Sequence, residues 1–422
     1  MFHQIIITTF LLILTQSALA ERAPFDIDFY GSRSDYDQLY NYYRQNKMEL
    51  LGQVNGSPTR DLDTIVELGR RNLQWLDHLN QFRPENPLTF SSEQTQKGIP
   101  IEEPMVYGPS TIYPEHESLL NHLPEQMKRV LVDLQPFEDQ LQIEDEQYEL
   151  NGRKLDRLYQ ITVRWLSLSG WKNWYAGRKR NDVRGYYFLS KRENLTAELN
   201  EFSNLPIDVQ NELTPLLINI CENSMAQWRR CPDLFNDARE SNQLNSYYHR
   251  YIDSAEATYN EFFRLDVRRS DTHWNSDQQM DFPFQHPNDV AVKSWLIENI
   301  QDEWQWEDWK LVLDFSNSAR PRVRFLPNVT PNVNGLGGNI ITMNSLNSLE
   351  DYNTRWTIRH EFGHVLGFPD CYVEFYDEPK NLMVNYQIDI TNLMCSRRGK
   401  LKETHHNELK RVYDRRASQA DI

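Results

Sequence analysis

Apolar residues recur at helical spacing through most of the first 265 residues. The pattern is present in residues 28–80 and resumes at residues 125–263. Pro206 and Pro232 lie where helices of this second stretch would begin, and proline suits the first helical turn because its φ is already fixed there. The apolar stripe in the second half of the first stretch consists of Leu62, Ile65, Val66, Leu68 and Leu73. These patterns predict a mostly α-helical N-terminal region, residues 21–265.

Two segments do not show this pattern. Residues 83–115 contain six prolines, which predict a long extended segment or surface loop. Residues 266–287 are polar and contain Arg268 and Arg269 as well as Pro283 and Pro287, so they predict a linker.

The pattern changes after this predicted linker. An amphipathic helix is expected at residues 290–304, strands are expected at 309–315, 322–325 and 339–343, and further helices are expected at 350–366 and 402–413. Glycines 335, 337 and 338 form the expected turn before the third strand. Residues 288–422 are therefore predicted to form a small α+β domain.

The N-terminus has the features of an export signal. Residues 5–14 are nearly all apolar, and residues 17–20 supply small side chains at the spacing of a cleavage site. A single membrane anchor is the alternative, although the apolar stretch is short for a bilayer span. We expect residues 1–20 to be a signal peptide that is cleaved after Ala20, which predicts a secreted or periplasmic protein without a stable membrane span.

Composition narrows the classes of function. A mean hydropathy of -0.71 argues against an integral membrane protein. The formal net charge of -16 across 422 residues argues against nucleic acid or an anionic membrane as the main partner.

The four cysteines allow three disulfide pairings. The local pairing, Cys221 with Cys231 and Cys371 with Cys395, closes two short loops, and such disulfides persist in exported proteins. Four buried free thiols are the alternative. None of the cysteines has the spacing of a cysteine zinc site.

The segment from His360 to Asp370 contains the candidate chemistry. His360 and His364 lie four residues apart, so on a helix their imidazoles project from one face and can bind one metal ion. Glu361 then points beside the metal, where it can take a proton from a water molecule. Two solvated histidines on a surface helix are the alternative interpretation.

The residues after the second histidine predict a third metal ligand. Gly367 can turn the chain out of the helix and Pro369 prevents the helix from resuming. This turn can bring Asp370 back toward the two histidines. Two nitrogens and one carboxylate oxygen leave a fourth position on zinc for water, as a hydrolytic site requires.

The sequence from His360 to Tyr372 resembles the extended zinc motif of the metzincin peptidases, in the variant with aspartate as third ligand, and looks most like the snapalysin-type bacterial enzymes. The resemblance covers residues 285–415. It implies an α+β metzincin-like catalytic domain with one catalytic Zn²⁺, bound by His360, His364 and Asp370. It further implies a zinc metallopeptidase that hydrolyses peptide bonds through a zinc-activated water, with Glu361 as general base.

Metzincins also have a tight turn with a methionine beneath the metal. Met394 is our candidate, because a Cys371–Cys395 disulfide would draw its turn under the metal; Met383 is the alternative. Some metzincins have a tyrosine two residues after this methionine, where Ser396 lies here. Tyr372 could take that role, although packing is the expected use of its side chain.

A protein or peptide substrate is expected to bind extended along a sheet edge, and residues 339–343 are the candidate edge. Asn339, Ile340 and Ile341 are therefore weak candidates for substrate binding. The adjacent His405 and His406 point in different directions on a helix, so a surface role is expected for both.

Two questions remain open from the sequence. Residues 21–265 are either a permanent scaffold or a pro-segment that is cut off near Arg268 and Arg269. The alternatives to a peptidase are a zinc hydrolase that acts on a non-peptide amide, such as cell-wall material, and a helical binding or assembly protein with an inactive metallopeptidase-like domain.

Overall fold

The computed structural model describes residues 36–45 except 38 and 42, and residues 59–90, 98–168, 171–265, 267–327, 329–396 and 398–414. The predicted signal peptide and its cleavage site after Ala20 lie outside the described residues.

Helices dominate the N-terminal region, as the apolar pattern predicts. The described residues of 36–45 are helical. The longer helices that follow are α1 (Thr59–Gln81), α2 (Pro109–His122), α3 (Asp145–Ser167), α4 (Lys172–Gly177), α5 (Arg184–Leu189), α6 (Leu195–Asn200), α7 (Ile207–Ser224), α8 (Cys231–Glu240) and α9 (Leu244–Glu261). Short turns lie between them: Glu125–Met127 continues as a π-helix at Lys128–Val132, and 3-10 turns lie at Arg178–Asn181, Phe202–Asn204 and Trp228–Arg230.

In the described residues of the C-terminal part, the α-helices are α10 (Val290–Leu296), which continues as a π-helix at Ile297–Gln301, α11 (Tyr352–Leu366) and α12 (Glu403–Tyr413). A 3-10 turn lies at Glu378–Lys380. The strands are β1 (Met105–Tyr107), β2 (His273–Ser276), β3 (Gln279–Gln285), β4 (Gln305–Trp306), β5 (Trp309–Ser316), β6 (Arg322–Leu326), β7 (Asn332–Val333), β8 (Ile340–Asn344), β9 (Tyr372–Asp377) and β10 (Leu382–Gln387).

The strands form three sheets with the orders β2-β3-β5-β4, β6-β8-β7 and β1-β10-β9. In the first two sheets, β3 and β5 are parallel, and so are β6 and β8. A hydrogen bond from the Gln285 amide to the Pro321 carbonyl, 2.6 Å long, joins the start of β6 to the end of β3.

The prediction of a linker at residues 266–287 is wrong. Within it, β3 is the parallel partner of β5, and its residues alternate between buried and half-buried. Pro283 is tolerated there because β2 pairs with β3 only as far as Asp281, so the missing N–H costs no hydrogen bond to that neighbour.

The prediction of an extended segment or loop at residues 83–115 also fails in its second half. Met105 to Tyr107 form β1, and Pro109 is the first residue of α2. Strand β1 pairs with β10, so a strand from the N-terminal region belongs to the same sheet as a hairpin near the C-terminus.

The hydrophobic cores do not follow the predicted domain boundary between residues 265 and 288. One core contains Trp75 and Tyr159 from the N-terminal region together with Phe282 and Phe362 from the C-terminal part. A second core lies among α5 to α9 and contains Leu217 and Phe235. Most of the N-terminal region therefore packs as an integral part of the C-terminal domain.

Both predicted disulfides are formed. Cys221 in α7 is linked to Cys231 at the start of α8, and Cys371 is linked to Cys395. Disulfides are characteristic of oxidising compartments, which agrees with an extracellular location. Among the described helices, none is long and apolar enough to cross a membrane.

Candidate metal centre

Helix α11 positions the two histidines. Asp351 caps its N-terminus by accepting hydrogen bonds from the amides of Asn353 and Thr354. Gly367 ends the helix with φ at 106°, a conformation that disfavours side chains with a Cβ. A Cβ at this position would also lie 2.3 Å from the carbonyl oxygen of Val267. Both the backbone conformation and the lack of room for a Cβ atom therefore require glycine at this position.

The turn after Gly367 brings three candidate ligand atoms together. The Oδ1 atom of Asp370 lies 3.0 Å from Nε2 of His360 and 3.1 Å from Nε2 of His364. Zinc bonds of about 2.0–2.1 Å at tetrahedral angles place neighbouring ligand atoms about 3.3 Å apart. Oδ1 of Asp370 therefore lies at nearly the spacing that shared zinc ligation requires from each of the two predicted histidine ligands.

Backbone carbonyls orient both imidazoles. Nδ1 of His360 lies 3.1 Å from the carbonyl oxygen of Leu393, and Nδ1 of His364 lies 2.8 Å from that of Phe368. A hydrogen bond at Nδ1 fixes the ring and leaves Nε2 for a metal. The sequence could not reveal these partners, because any residue type supplies a carbonyl.

The Glu361 carboxylate lies beside this group. A ligand atom from each of His360, Glu361 and His364 lies within 4.8 Å of the others. Glu361 is only 8% exposed, and its buried Oε2 atom has no hydrogen-bond partner among the described residues. A buried carboxylate oxygen without a donor is costly, so a water molecule or substrate group at this point would stabilise it.

Opposite charges attract within this group of three candidate ligands. Burial alone would lower the pKa of His364, but the Asp370 carboxylate outweighs burial and raises this pKa to about 9. Burial likewise favours a higher pKa for Asp370, but the charge of His364 and hydrogen bonds from both histidines hold it well below its usual range. A metal ion that binds here therefore displaces a proton from His364.

Met394 lies beneath this helix. It is 1% exposed, and a Cβ added to Gly363 would lie 2.2 Å from its sulfur atom, so only glycine allows this approach. The carbonyl oxygen of Met394 accepts a hydrogen bond from the Cys371 amide, 3.1 Å away. The alternative candidate, Met383, lies in β10, opposite Tyr376 of β9.

Tyr372 contacts the third ligand directly. Its hydroxyl donates a hydrogen bond to Oδ2 of Asp370, 3.2 Å away, while Oδ1 faces the histidines. Packing was the expected use of this side chain, and the sequence signal for its polar role was only its proximity to Asp370.

We expect the substitution Tyr372→Phe to weaken zinc binding by about tenfold, because the loss of a hydrogen bond to a ligand typically costs ten- to a hundredfold in metal affinity. Zinc affinity would be measured by competition with a chromophoric chelator. Tyr376→Phe is the matched control. Tyr376 lies near the other end of β9, and its hydroxyl donates a hydrogen bond to Asn381. Equal affinities in the two variants would show that Tyr372 does not support Asp370.

The prediction of a surface role is wrong for His405. This side chain is 3% exposed and its ring packs against Phe368 and Trp304 at centroid distances of 5.2 and 6.1 Å. Burial lowers its pKa to about 4, and its Nδ1 accepts the Lys402 amide at the start of α12. His405 is therefore a neutral core residue that packs against Phe368, and the carbonyl oxygen of Phe368 orients His364.

The prediction that residues 339–343 form a sheet edge is wrong. Strand β8 contains Ile340 and Ile341 and lies between β6 and β7, so it is not an edge. The side chain of Asn339 accepts a hydrogen bond from Arg269 within the fold. Strand β7 lies at one edge of this sheet and β6 at the other, and among the described strands β7 pairs only with β8.

Comparisons with known proteins give no match: no protein-family model, no curated protein and no solved structure aligns significantly with the chain. The resemblance to the metzincins therefore depends on the residues of the motif alone and stays a prediction.

Proposed function

We propose that this protein is an exported zinc-dependent endopeptidase in which His360, His364 and Asp370 hold the metal and Glu361 is the general base. The observation that carries the proposal is the convergence of two Nε2 atoms and one carboxylate oxygen within 3.0–3.1 Å, around Oδ1 of Asp370.

The chemistry of these donors fits zinc. Imidazole nitrogens and a carboxylate are typical zinc ligands, and three protein ligands leave a position open, as in catalytic zinc sites. His360 is about a quarter exposed at its side chain, so the site is accessible from one side, whereas His364 is almost fully buried. A bound zinc ion would supply a Lewis acid that polarises a carbonyl group and lowers the pKa of water.

Glu361 has the position and environment for proton transfer. Its buried, unpartnered Oε2 oxygen is available to take a proton from the attacking water molecule and to pass it to the leaving amine. The helix holds this carboxylate one residue from the first ligand, so its position relative to the histidines is fixed by the backbone.

Strand β7 is the edge on which an extended peptide could bind. The Asn334 amide donates to the Ile340 carbonyl oxygen, and alternation in an antiparallel pair then turns the Val333 N–H away from β8. The Val333 carbonyl oxygen accepts from the Gly335 amide, 2.8 Å away, so a peptide would pair with this two-residue edge through the Val333 N–H. The turn that follows β7 contacts α11, because the Gly337 amide donates to the His364 carbonyl oxygen, 2.8 Å away.

Two further observations support the proposal. Helix α10 and strands β4 to β8 precede the candidate metal-binding helix along the chain, and the turn with Met394 lies between β10 and the last helix, α12. The two disulfides and the apolar N-terminus with small residues up to Ala20 agree with export.

We expect the purified protein to contain about one zinc ion per chain, and His364→Ala to contain none, because two ligands bind zinc far more weakly than three. Metal content would be measured by mass spectrometry after dialysis. His273→Ala is the control, since His273 is exposed on β2 and should leave the zinc content unchanged. Full zinc occupancy in His364→Ala would exclude this site.

A further inference from the structure

Arg268 and Arg269 differ sharply in their surroundings. Arg268 is exposed, whereas Arg269 is 7% exposed and its guanidinium lies over the Phe282 ring, 5.2 Å from the centroid. The pro-segment alternative places a cleavage site near this pair, but a buried second arginine is poorly accessible to a processing protease. A different role for Arg269 is needed.

The guanidinium of Arg269 binds the turn between β7 and β8. Nη1 donates to the carbonyl oxygens of Gly337 and Gly338, 2.8 and 2.9 Å away, and Nη2 donates to Oδ1 of Asn339, 2.8 Å away. Asp271 accepts from Nε and Nη2 at 3.0 and 2.8 Å and so neutralises the charge. A planar guanidinium can make all of these bonds together, because its N–H groups lie in a fixed fork.

The turn has hydrogen bonds of its own, from the Gly338 amide to the Gly335 carbonyl oxygen and from the Asn339 and Ile340 amides to Oδ1 of Asn334. The carbonyl oxygens of Gly337 and Gly338 accept from Arg269 instead. Gly335 and Gly337 have φ at 104° and 68°, a region that disfavours other residues, and glycines lose much chain entropy when they are ordered. One end of the turn continues from β7 and its middle contacts the metal-binding helix through the Gly337 amide and the His364 carbonyl oxygen. The conformation of the turn thus sets the position of β7 relative to α11.

Backbone contacts of the segment around Arg269 connect it to the end of the candidate metal-binding helix. The Arg269 amide donates to the Tyr413 hydroxyl, 3.2 Å away, and that hydroxyl donates to the Leu366 carbonyl oxygen, 2.9 Å away. Val267, two residues earlier, contacts the position of Gly367. The segment around Arg269 therefore touches both the end of α11 and the turn after β7.

We infer that Arg269 is a positioning residue that aligns the substrate-binding edge β7 with the metal-binding helix. The inference rests on the proposed function, since it assigns Arg269 a part in how a peptide is presented to the site. Arg269 contacts none of the three candidate ligands, so it acts on substrate binding and leaves the metal in place.

The test compares Arg269→Met, Arg269→Lys and the control Arg268→Met in peptide hydrolysis, zinc content and thermal unfolding. We expect Arg269→Met to lower kcat/KM by about a hundredfold, the scale of a misplacement of about 1 Å, with a clear rise in KM, while zinc content changes less than about twofold. Arg269→Lys should recover part of the loss, because an ammonium can donate to the two carbonyls but cannot reproduce the fork. Arg268→Met should behave as the unaltered protein.

A merely structural role predicts a different outcome: a lower unfolding temperature and a smaller active fraction with KM unchanged, which would overturn the inference. Hydrogen exchange at the Gly337 amide separates this inference from the proposed function. We expect exchange there to be at least about tenfold faster in Arg269→Met, since the turn loses its donors. If the unaltered protein hydrolyses no peptide, the proposed function fails, but the exchange experiment still decides whether Arg269 holds the turn. Unchanged exchange at the Gly337 amide in Arg269→Met would refute this role of Arg269.

Discussion

Replacement of Glu361 by glutamine is expected to lower peptide hydrolysis by about a thousandfold or more while zinc content and fold stay as they are. Removal of a general base typically costs 10²- to 10⁴-fold. Glutamine has nearly the same size and shape, so α11 and the positions of His360 and His364 should not change. The amide cannot take a proton from water at neutral pH and carries no negative charge, so the substitution removes the base while it keeps the shape of the side chain.

The control for this prediction is Glu350→Gln. Glu350 is exposed just before α11 and pairs with Arg355 at the surface, so the loss of its charge should change hydrolysis very little. The measurements are kcat/KM on a defined peptide and zinc per chain for both variants. Undiminished turnover in Glu361→Gln would remove this residue from the mechanism.

Replacement of Glu374 by glutamine is expected to destabilise the whole protein by about 3–5 kcal/mol, the usual effect of leaving one partner of a buried ion pair uncompensated. Glu374 on β9 pairs with Arg164 on α3 at 3.3 Å, and both side chains are 6% exposed. Its other oxygen accepts a hydrogen bond from the Tyr107 hydroxyl of β1, 2.7 Å away. The carboxylate thus joins the N-terminal region to the sheet that follows the metal site.

The chain offers a matched control for this substitution. Glu378 also pairs with a residue of the N-terminal region, Arg229. This ion pair lies at the surface, where such a pair contributes about 1 kcal/mol or less to the free energy of unfolding. The free energy of unfolding would be measured by denaturant titration of Glu374→Gln and Glu378→Gln. Equal stabilities would indicate that the N-terminal region is loosely attached, as a removable pro-segment would be, and would contradict the scaffold interpretation.

The local structure of the candidate metal-binding segment follows the sequence prediction because every feature of it is local. The helical spacing of His360 and His364, the left-handed turn at Gly367 and the return of Asp370 all lie within eleven residues. The alternation that predicts β5 and β6 is equally local, and the helices at Pro206 and Pro232 begin where these prolines indicate.

The strands that the sequence did not predict have a common feature: they are ordered by pairing and burial with residues that are distant in the sequence. Strand β1 has three residues and no pattern of its own, and it is ordered by β10 from the far end of the chain. Strands β9 and β10 are buried along nearly their whole length, so they show no alternation between buried and exposed positions. In β3, Met280, Phe282 and Phe284 do alternate, but Pro283 and the polar neighbours conceal the strand.

The individual side chains around the metal site show the same limit. The contact of Tyr372 with Asp370 depends on the path of the chain after the motif, and the burial of His405 depends on where α12 packs. The role inferred for Arg269 was concealed by the dibasic pair itself, whose residue types suggest a cleavage site. Local patterns indicate the candidate ligands, whereas tertiary packing determines which residues orient them.

The most direct test of the central claim is the rate of casein hydrolysis by the intact protein before zinc removal, after chelation, and after zinc is restored. The account predicts hydrolysis that falls to background with the chelator and returns when about one equivalent of zinc per chain is added. Hydrolysis that continues at full rate without metal, or none in the fully zinc-loaded protein, would contradict the assignment of this site as a zinc peptidase.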